Sequence, residues 1–329
     1  MLNTILGALL PMVVTFLLGL IAAWRHDLGP KDASILNRMV LLYAVPLTLF
    51  AGTVTTSRTA LAQDIPLVIA LCLAIIGLYG VVFLFHRIVF RFPTSVSALY
   101  ALTASAPAVP FVGPAVLGDL FGGLSAIPIA IASLVINLTV VPVTILLLTF
   151  DSTGRDPQEN SPVPREGEHL ANSSRSSASV FAAKLAETIK EPIVWAPVLA
   201  FIIVLTGFRI PQLLVHPLSL LGQASGGVAL FACGIVLASG KIKANWGVLF
   251  FVFLKNIVQP ALVLGGLRWV GHGNPIVSEA VLTTAIPTMP IVIMLALQYR
   301  IAQTEAASAV FLSMMGSMIT IGVFIALTR

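Results

Sequence analysis

Long apolar segments, separated by short polar stretches, run along almost the whole chain. Most of these segments are about 20 residues long, which is the length that an α-helix needs to cross a lipid bilayer. Ten can be counted, with approximate bounds of 3–24, 36–56, 65–85, 95–117, 124–150, 192–208, 217–238, 246–270, 277–297 and 306–327. The pattern therefore predicts an all-α polytopic membrane protein with ten transmembrane helices.

One polar stretch is much longer than the others. Residues 151–190 are rich in Ser, Pro, Gly, Glu and Arg, a composition typical of a flexible loop. Its end, 179–190, reads equally well as a short amphipathic helix on the membrane surface or as a simple linker. The loop separates a first five-helix repeat, 1–150, from a second, 191–329. Because each repeat has an odd number of spans, the second copy would be inverted relative to the first.

Two of the apolar segments contain the same proline pattern. Pro107 and Pro110 lie in the fourth segment, and Pro287 and Pro290 lie in the ninth. Proline lacks the helix N–H and clashes with the preceding turn, so Pro-x-x-Pro predicts local unwinding, with an ordinary kink as the alternative for either motif alone. Paired interruptions in two halves are typical of a transporter's substrate site. Half-helices that begin at the breaks would point their N-terminal N–H groups into the gap between them. These groups would make the gap a positive pocket.

A few polar side chains inside apolar segments are further candidates for this site. Lys255 lies near the middle of the eighth segment, where a charge is costly and indicates function by default. A buried ammonium could attract an anion, or lose its proton when the site is empty. Bonding of Lys255 to carbonyls of the broken helices is the alternative, and the two roles are compatible. Asn256 is its neighbour, and Gln259 shares its helix face. Asn137, in the fifth segment, needs a partner at that depth, either the substrate or another helix.

Hydroxyl groups beside the proline motifs are weaker candidates. Ser105, Thr284 and Thr288 could donate hydrogen bonds to an anion, although back-bonding to their own helix is the alternative. Carboxylates lie in loops or at segment ends, which weakens carboxylate-based coupling but leaves sodium or proton coupling open. The sequence has no metal-binding, nucleotide-binding or hydrolytic motif, so we expect no cofactor, no metal and no enzymatic activity.

Basic residues are distributed unevenly between the two sides of the predicted bundle. Most of the 18 Lys and Arg residues lie in loops that follow odd-numbered segments. The positive-inside rule therefore predicts a plasma-membrane protein with a cytoplasmic central loop and both termini outside. The formal net charge of +5 is then explained by the orientation in the membrane. Nucleic acid is therefore not an expected partner.

Several segments also carry motifs of a known family. They read Leu36-Asn37-Arg38-Met39-Val40 followed by Ala44-Val45-Pro46, Phe253-Leu254-Lys255-Asn256-Ile257-Val258-Gln259-Pro260, Ala285-Ile286-Pro287-Thr288-Met289-Pro290, and Glu305-Ala306-Ala307-Ser308 with Ser317-Met318-Ile319-Thr320. As a set, spread over essentially the whole chain, they resemble the auxin efflux carrier family, particularly its bacterial malonate-carrier-like branch.

This resemblance implies two inverted five-helix repeats, with the substrate held where the broken fourth and ninth helices cross. It implies a scaffold of spans one, two, six and seven, a transport domain of the others, and a homodimer. The chain departs from many members at Ser105 or Ala108, where they have Asn, and at Gly226-Gly227, where they often have Pro.

The combined interpretation is a secondary transporter that moves small organic anions across the lipid bilayer by alternating access. Short mono- or dicarboxylates such as malonate are the expected substrates, by resemblance. A sodium-coupled symporter of the bile-acid type is the alternative, and a membrane anion sensor is a weaker one.

Overall fold

The structure is a computed structural model that describes residues 2–54, 64–152, 191–207, 210–239 and 242–329. Apart from its first two residues, the predicted loop 151–190 lies outside the described residues, and so does its end, 179–190, with both interpretations, a surface helix or a linker. The helices are α1 (Leu2–Trp24), α2 (Pro30–Val54), α3 (Ile65–Ile88), α4 (Thr94–Ser105), α5 (Val109–Phe121), α6 (Ala126–Val135, Ile136–Val140 and Val141–Ser152 in succession), α7 (Pro192–Thr206), α8 (Gln212–Ser239), α9 (Trp246–Trp269), α10 (Ile276–Ala285), α11 (Ile291–Gln298) and α12 (Gln303–Leu327).

The described residues form helices and no strands, which confirms the predicted all-α class. Six helical stretches among them are long and apolar enough to cross a membrane. They are Pro30–Val54, Ile65–Ile88, Val109–Asp151, Leu220–Ala238, Trp246–Trp269 and Gln303–Leu327. The shorter apolar helices include Pro192–Thr206 and Ile276–Ala285. This composition indicates a multi-pass membrane protein.

Helices α3 and α9 are built in the same way. Each begins with 8 α-helical residues, continues through a 5-residue π-helical turn and ends with 11 α-helical residues. π turns are rare and often lie at functional sites. The turn of α3, Leu73–Gly77, is apolar, whereas that of α9, Leu254–Val258, contains Lys255 and Asn256. The same π turn therefore carries polar side chains in α9 but not in α3.

Helices α1 and α8 approach each other at backbone distance. A Cβ atom on Gly19 would lie 2.0 Å from the carbonyl oxygen of Phe231, and one on Gly234 would lie 2.2 Å from that of Phe16. In a bilayer, small residues allow such close helix packing. The two glycines therefore fix the spacing of this helix pair.

The centre of the bundle is occupied by the short helices next to the proline motifs. Every residue from Val277 to Ala285 of α10 is buried, as are residues 291–296 of α11. In α4, most residues from Ser95 to Ser105 are buried as well. Both α4 and α10 carry several Ser and Thr side chains, and polar side chains in a membrane-spanning bundle face its interior. The ends of these helices therefore meet at the most protected point of the fold.

Candidate functional site

The two proline motifs interrupt their helices as the sequence predicts. Helix α4 ends at Ser105 before α5 begins at Val109, and α10 ends at Ala285 before α11 begins at Ile291. The two interruptions are bonded to each other in an antiparallel bridge between Pro107 and Thr288. The Ala108 N–H donates to the Pro287 carbonyl oxygen at 2.8 Å, and the Met289 N–H donates to the Ala106 carbonyl oxygen at 3.0 Å. The breaks therefore meet backbone to backbone.

The two prolines of the first break remove the helical donors of two carbonyl groups. In an α-helix each N–H bonds to the carbonyl four residues earlier, and proline has no N–H. Pro107 and Pro110 therefore orphan the carbonyls of Thr103 and Ala106. The Thr288 hydroxyl donates to the Thr103 carbonyl oxygen at 3.0 Å. The Met289 N–H of the bridge donates to the Ala106 carbonyl oxygen. The second broken segment thus supplies the donors for both of these carbonyls.

Helix α9 supplies one side-chain donor to each break. Lys255 is fully buried, at 0 % exposure, and its Nζ donates to the Thr284 carbonyl oxygen at 2.6 Å. One turn later, the Gln259 Nε2 donates to the Ser105 carbonyl oxygen at 2.9 Å and to that of Ala74, in the turn of α3, at 3.0 Å. The structure therefore brings Lys255 and Gln259 to the two breaks, where both side chains donate to backbone carbonyls.

Asn256 reaches the second break through a residue that the sequence analysis missed. Its Nδ2 donates to the Ser313 carbonyl oxygen at 2.8 Å, and the Ser313 hydroxyl donates to the Asn256 Oδ1 at 2.7 Å. The same hydroxyl oxygen accepts the Thr288 N–H at 3.0 Å. The available signal for Ser313 was a small polar residue inside the apolar tenth segment, which by itself does not distinguish a network member from a packing residue.

The candidate hydroxyls divide into two groups. Ser105 donates to the Ala101 carbonyl within its own helix at 2.7 Å. Thr284 likewise bonds to carbonyls three and four residues earlier, at 2.9 and 3.1 Å. Back-bonding is therefore the arrangement at these two positions. Thr288 differs, because its hydroxyl bonds across the break to α4.

Asn137 lies in the π turn of α6, at 1 % exposure, and its Oδ1 has no hydrogen-bond partner. The Gln259 Oε1 is also buried without a partner. The turn of α6 packs against the turn of α3, whose Ala74 carbonyl binds Gln259. The structure therefore places Asn137 and Gln259 against the same turn of α3. A buried acceptor without a donor costs free energy, so two such oxygens require an explanation.

Asn37 is a second residue that the sequence analysis did not single out for the site. Its Nδ2 donates to the Met294 carbonyl oxygen of α11 at 3.0 Å, and the side chain is 4 % exposed. An amide inside a predicted span was the signal. Asn37 ties α2 to the half-helix that follows the second break, so it positions that half-helix.

Lys255 has no carboxylate partner within the described ranges. The ion pairs found there are Arg25–Asp27 at 3.6 Å and Lys243–Glu305 at 2.7 Å, and all four groups are at least partly exposed. The same ranges contain no group of three or more His, Cys, Asp and Glu residues that could hold a metal ion. The paired breaks therefore combine a buried ammonium group with backbone dipoles.

Comparison with known proteins decides the family. The sequence matches the family described as "Membrane transport protein" over residues 4–325. The chain belongs to this family, which is that of the auxin efflux carriers. It is also 30% identical, over 332 aligned positions, to proteins named "Uncharacterized transporter YfdV" from Escherichia coli K12, Escherichia coli O157:H7 and Shigella flexneri. Each alignment covers 100% of this chain and 99% of the relative.

Membership of the membrane transport protein family confirms the resemblance found in the sequence motifs. It also identifies the chain as a membrane transporter. Together with the apolar helices, it identifies a multi-pass membrane protein.

Proposed function

We propose that this transporter carries small organic anions, short mono- or dicarboxylates such as malonate, by alternating access around the paired breaks. The main support is the antiparallel bridge between Pro107 and Thr288, which holds the starts of α5 and α11 beside each other. The helix dipole places about half a positive charge at each of these starts. The N–H groups of Phe111 and Ile293 already donate to the Ala108 and Pro290 carbonyl oxygens, so the support is the dipole rather than a set of free donors. Two helix starts at one point form a natural carboxylate site.

The proposal assigns substrate binding to residues of the two breaks and of the helices packed beside them. These residues are Lys255, Asn137, Ser105, Pro107, Pro110, Thr284, Pro287, Thr288, Pro290, Asn256 and Gln259. Pro110 and Pro290 act by starting the half-helices, because proline fits the first turn of a helix without losing a hydrogen bond. Lys255 adds the only full charge in this set, close to the second break.

The proposal includes the architecture that the resemblance implies. Ten spans would form two inverted repeats, 1–150 and 191–329, with the loop 151–190 between them. The identical construction of α3 and α9, the third span of each half, supports this arrangement. The protein would form a homodimer in the bacterial inner membrane, with both termini outside and the loop in the cytoplasm.

Energetics distinguish export from uptake. An inside-negative membrane potential favours outward movement of an anion by about 2.3 kcal/mol per charge for each 100 mV. Uptake therefore needs a concentration gradient or a coupled cation. The unpartnered oxygens of Asn137 and Gln259 favour a second candidate, a sodium-coupled anion symporter, because amide oxygens are hard ligands of the kind that sodium binds.

Thermal stabilisation of the purified protein tests the proposal. A ligand that binds only the folded state at 100 times its Kd stabilises it by about 2.7 kcal/mol. We expect malonate or a related carboxylate to raise the apparent Tm saturably, and uncharged malonamide, of similar shape, to leave it unchanged. Equal responses to malonate and malonamide, or no response to any carboxylate, would contradict an anion site. A carboxylate response that requires sodium would favour the symporter.

A further inference from the structure

The carboxyl end of α10 presents three carbonyl groups that have lost their helical donors. The carbonyls of residues 283–285 would normally accept from the N–H groups of residues 287–289. Pro287 has no N–H. The Thr288 N–H donates instead to a serine hydroxyl of α12, and the Met289 N–H donates to the first break. A cluster of carbonyl dipoles therefore faces the break without backbone partners.

The two breaks differ in the kind of donor that they receive. At the first break, the donors are neutral: the Thr288 hydroxyl, the Met289 N–H and the Gln259 amide. At the carboxyl end of α10, the donor is the Lys255 ammonium, 2.6 Å from the Thr284 oxygen. This group carries three N–H donors on one compact charge, so it can serve several carbonyls at once.

The position of Lys255 is one that a diffusible cation could also take. The C-terminal end of a helix carries about half a negative charge, and in transporters the carboxyl ends of broken helices and unwound carbonyls hold sodium. The side chain is fully buried and has no carboxylate partner among the described residues. Its attraction to α10 therefore comes from backbone carbonyls, as it would for a bound cation.

The corresponding turn of α3 carries no such charge. Lys255 is the second residue of the π turn in α9, and Ala74 is the second residue of the matching turn in α3. The Ala74 carbonyl accepts from Gln259, whose own Oε1 is buried and unpartnered. The pair of breaks thus holds a single internal charge, with a spare acceptor oxygen one helical turn away from it.

We propose that the Lys255 ammonium is a built-in counter-cation, which occupies the place of a diffusible monovalent cation at the carboxyl end of α10. The wild-type protein then needs no sodium at this place, and removal of the ammonium creates a binding site for a small cation. The consequence for transport, sodium-independent anion movement, rests on the proposed function. The claim that Lys255 occupies the place of a cation does not rest on the proposed function, and it can be tested without any substrate.

The test compares purified wild-type protein with two variants, in the absence of carboxylates. Lys255→Ala removes both the ammonium and its stem, whereas Lys255→Met removes the charge but keeps an apolar stem in the space. The apparent Tm is measured in sodium, potassium or methylammonium chloride, against N-methylglucamine chloride at equal ionic strength. N-methylglucamine is the control because it is too large for the vacated space.

We expect the wild-type Tm to be the same in all four salts. Both variants should have a lower Tm in N-methylglucamine chloride, since the carbonyls of α10 have lost their donor. Small cations should raise the Tm of Lys255→Ala saturably and should leave that of Lys255→Met unchanged. Saturable stabilisation of the wild type by sodium would overturn the proposal, as would a Lys255→Ala protein that responds to no cation.

If Lys255→Ala cannot be purified in N-methylglucamine chloride, its purification in methylammonium chloride replaces the Tm measurement. Folded protein obtained only with methylammonium supports the proposal, and equal failure in both salts contradicts it. These results are independent of the anion tests. A protein that binds no carboxylate, but in which Lys255→Ala gains a cation site, would refute the proposed function and leave the counter-cation in place.

Discussion

Substitution of Gly226 by alanine should displace the half-helix that follows the first break. A Cβ atom at Gly226 in α8 would lie 2.4, 2.8 and 3.0 Å from the Cδ1, Cε1 and Cγ atoms of Phe111. These distances are below van der Waals contact, so the ring or α5 must move. Forced overpacking of this kind costs about 1–3 kcal/mol. Phe111 directly follows Pro110, so the displacement begins at the break itself.

The neighbouring glycine provides a matched control. A Cβ atom at Gly227 would have no atom within 4 Å, so Gly227→Ala should be neutral or stabilise α8 by up to about 1 kcal/mol. For Gly226→Ala we expect an apparent Tm lower by about 2–6 °C, from the typical relation between Tm and stability. Phe111→Leu in the same chain should restore much of this loss, because a smaller side chain vacates the space.

Two results would refute the reasoning about Gly226. The first is an equal Tm for Gly226→Ala and Gly227→Ala, which would mean that the contact with Phe111 yields without cost. The second is a double-mutant cycle in which Gly226→Ala and Phe111→Leu add to within about 0.5 kcal/mol, as is typical of sites that do not interact.

Three further substitutions test other contacts. Pro287→Ala restores an N–H that can donate to a helical carbonyl, a hydrogen bond worth about 1 kcal/mol. The substitution should therefore favour a continuous helix about fivefold and slow transport in proteoliposomes. Wild-type flux would contradict this. Ser313→Ala removes the acceptor of the Thr288 N–H and should lower stability by about 1–3 kcal/mol, measured as Tm against Ser313→Thr. Lys243→Ala breaks only a partly exposed pair with Glu305 and should cost less than about 1 kcal/mol in the same assay.

The sequence predicted the features that depend on local covalent chemistry. The apolar segments predicted a helical membrane protein, and Pro107 and Pro287 predicted the two interruptions, because a missing N–H acts on its own helix wherever that helix packs. Lys255 was singled out because a charge in an apolar segment is costly in any fold. These arguments need no knowledge of neighbouring helices.

The sequence did not predict which groups would meet. Ser313 and Asn37 bond to the second broken segment only because α12 and α2 pack beside it, and the contact between Gly226 and Phe111 likewise depends on helix packing. The bond from Lys255 to Thr284, rather than towards a helix N-terminus, also depends on the register of α9 against α10. Such registers arise from the packing of the whole bundle.

Exchange of labelled malonate in proteoliposomes tests the central claim, an anion site at the paired breaks, most directly. The informative pair of variants is Thr288→Val, which removes the hydroxyl that bonds across the break, and Thr15→Val, whose hydroxyl back-bonds to Pro11 within α1. We predict exchange by the wild type that unlabelled carboxylates inhibit, near-complete loss in Thr288→Val and full activity in Thr15→Val. No carboxylate exchange by the wild type, or equal exchange by all three proteins, would contradict the claim.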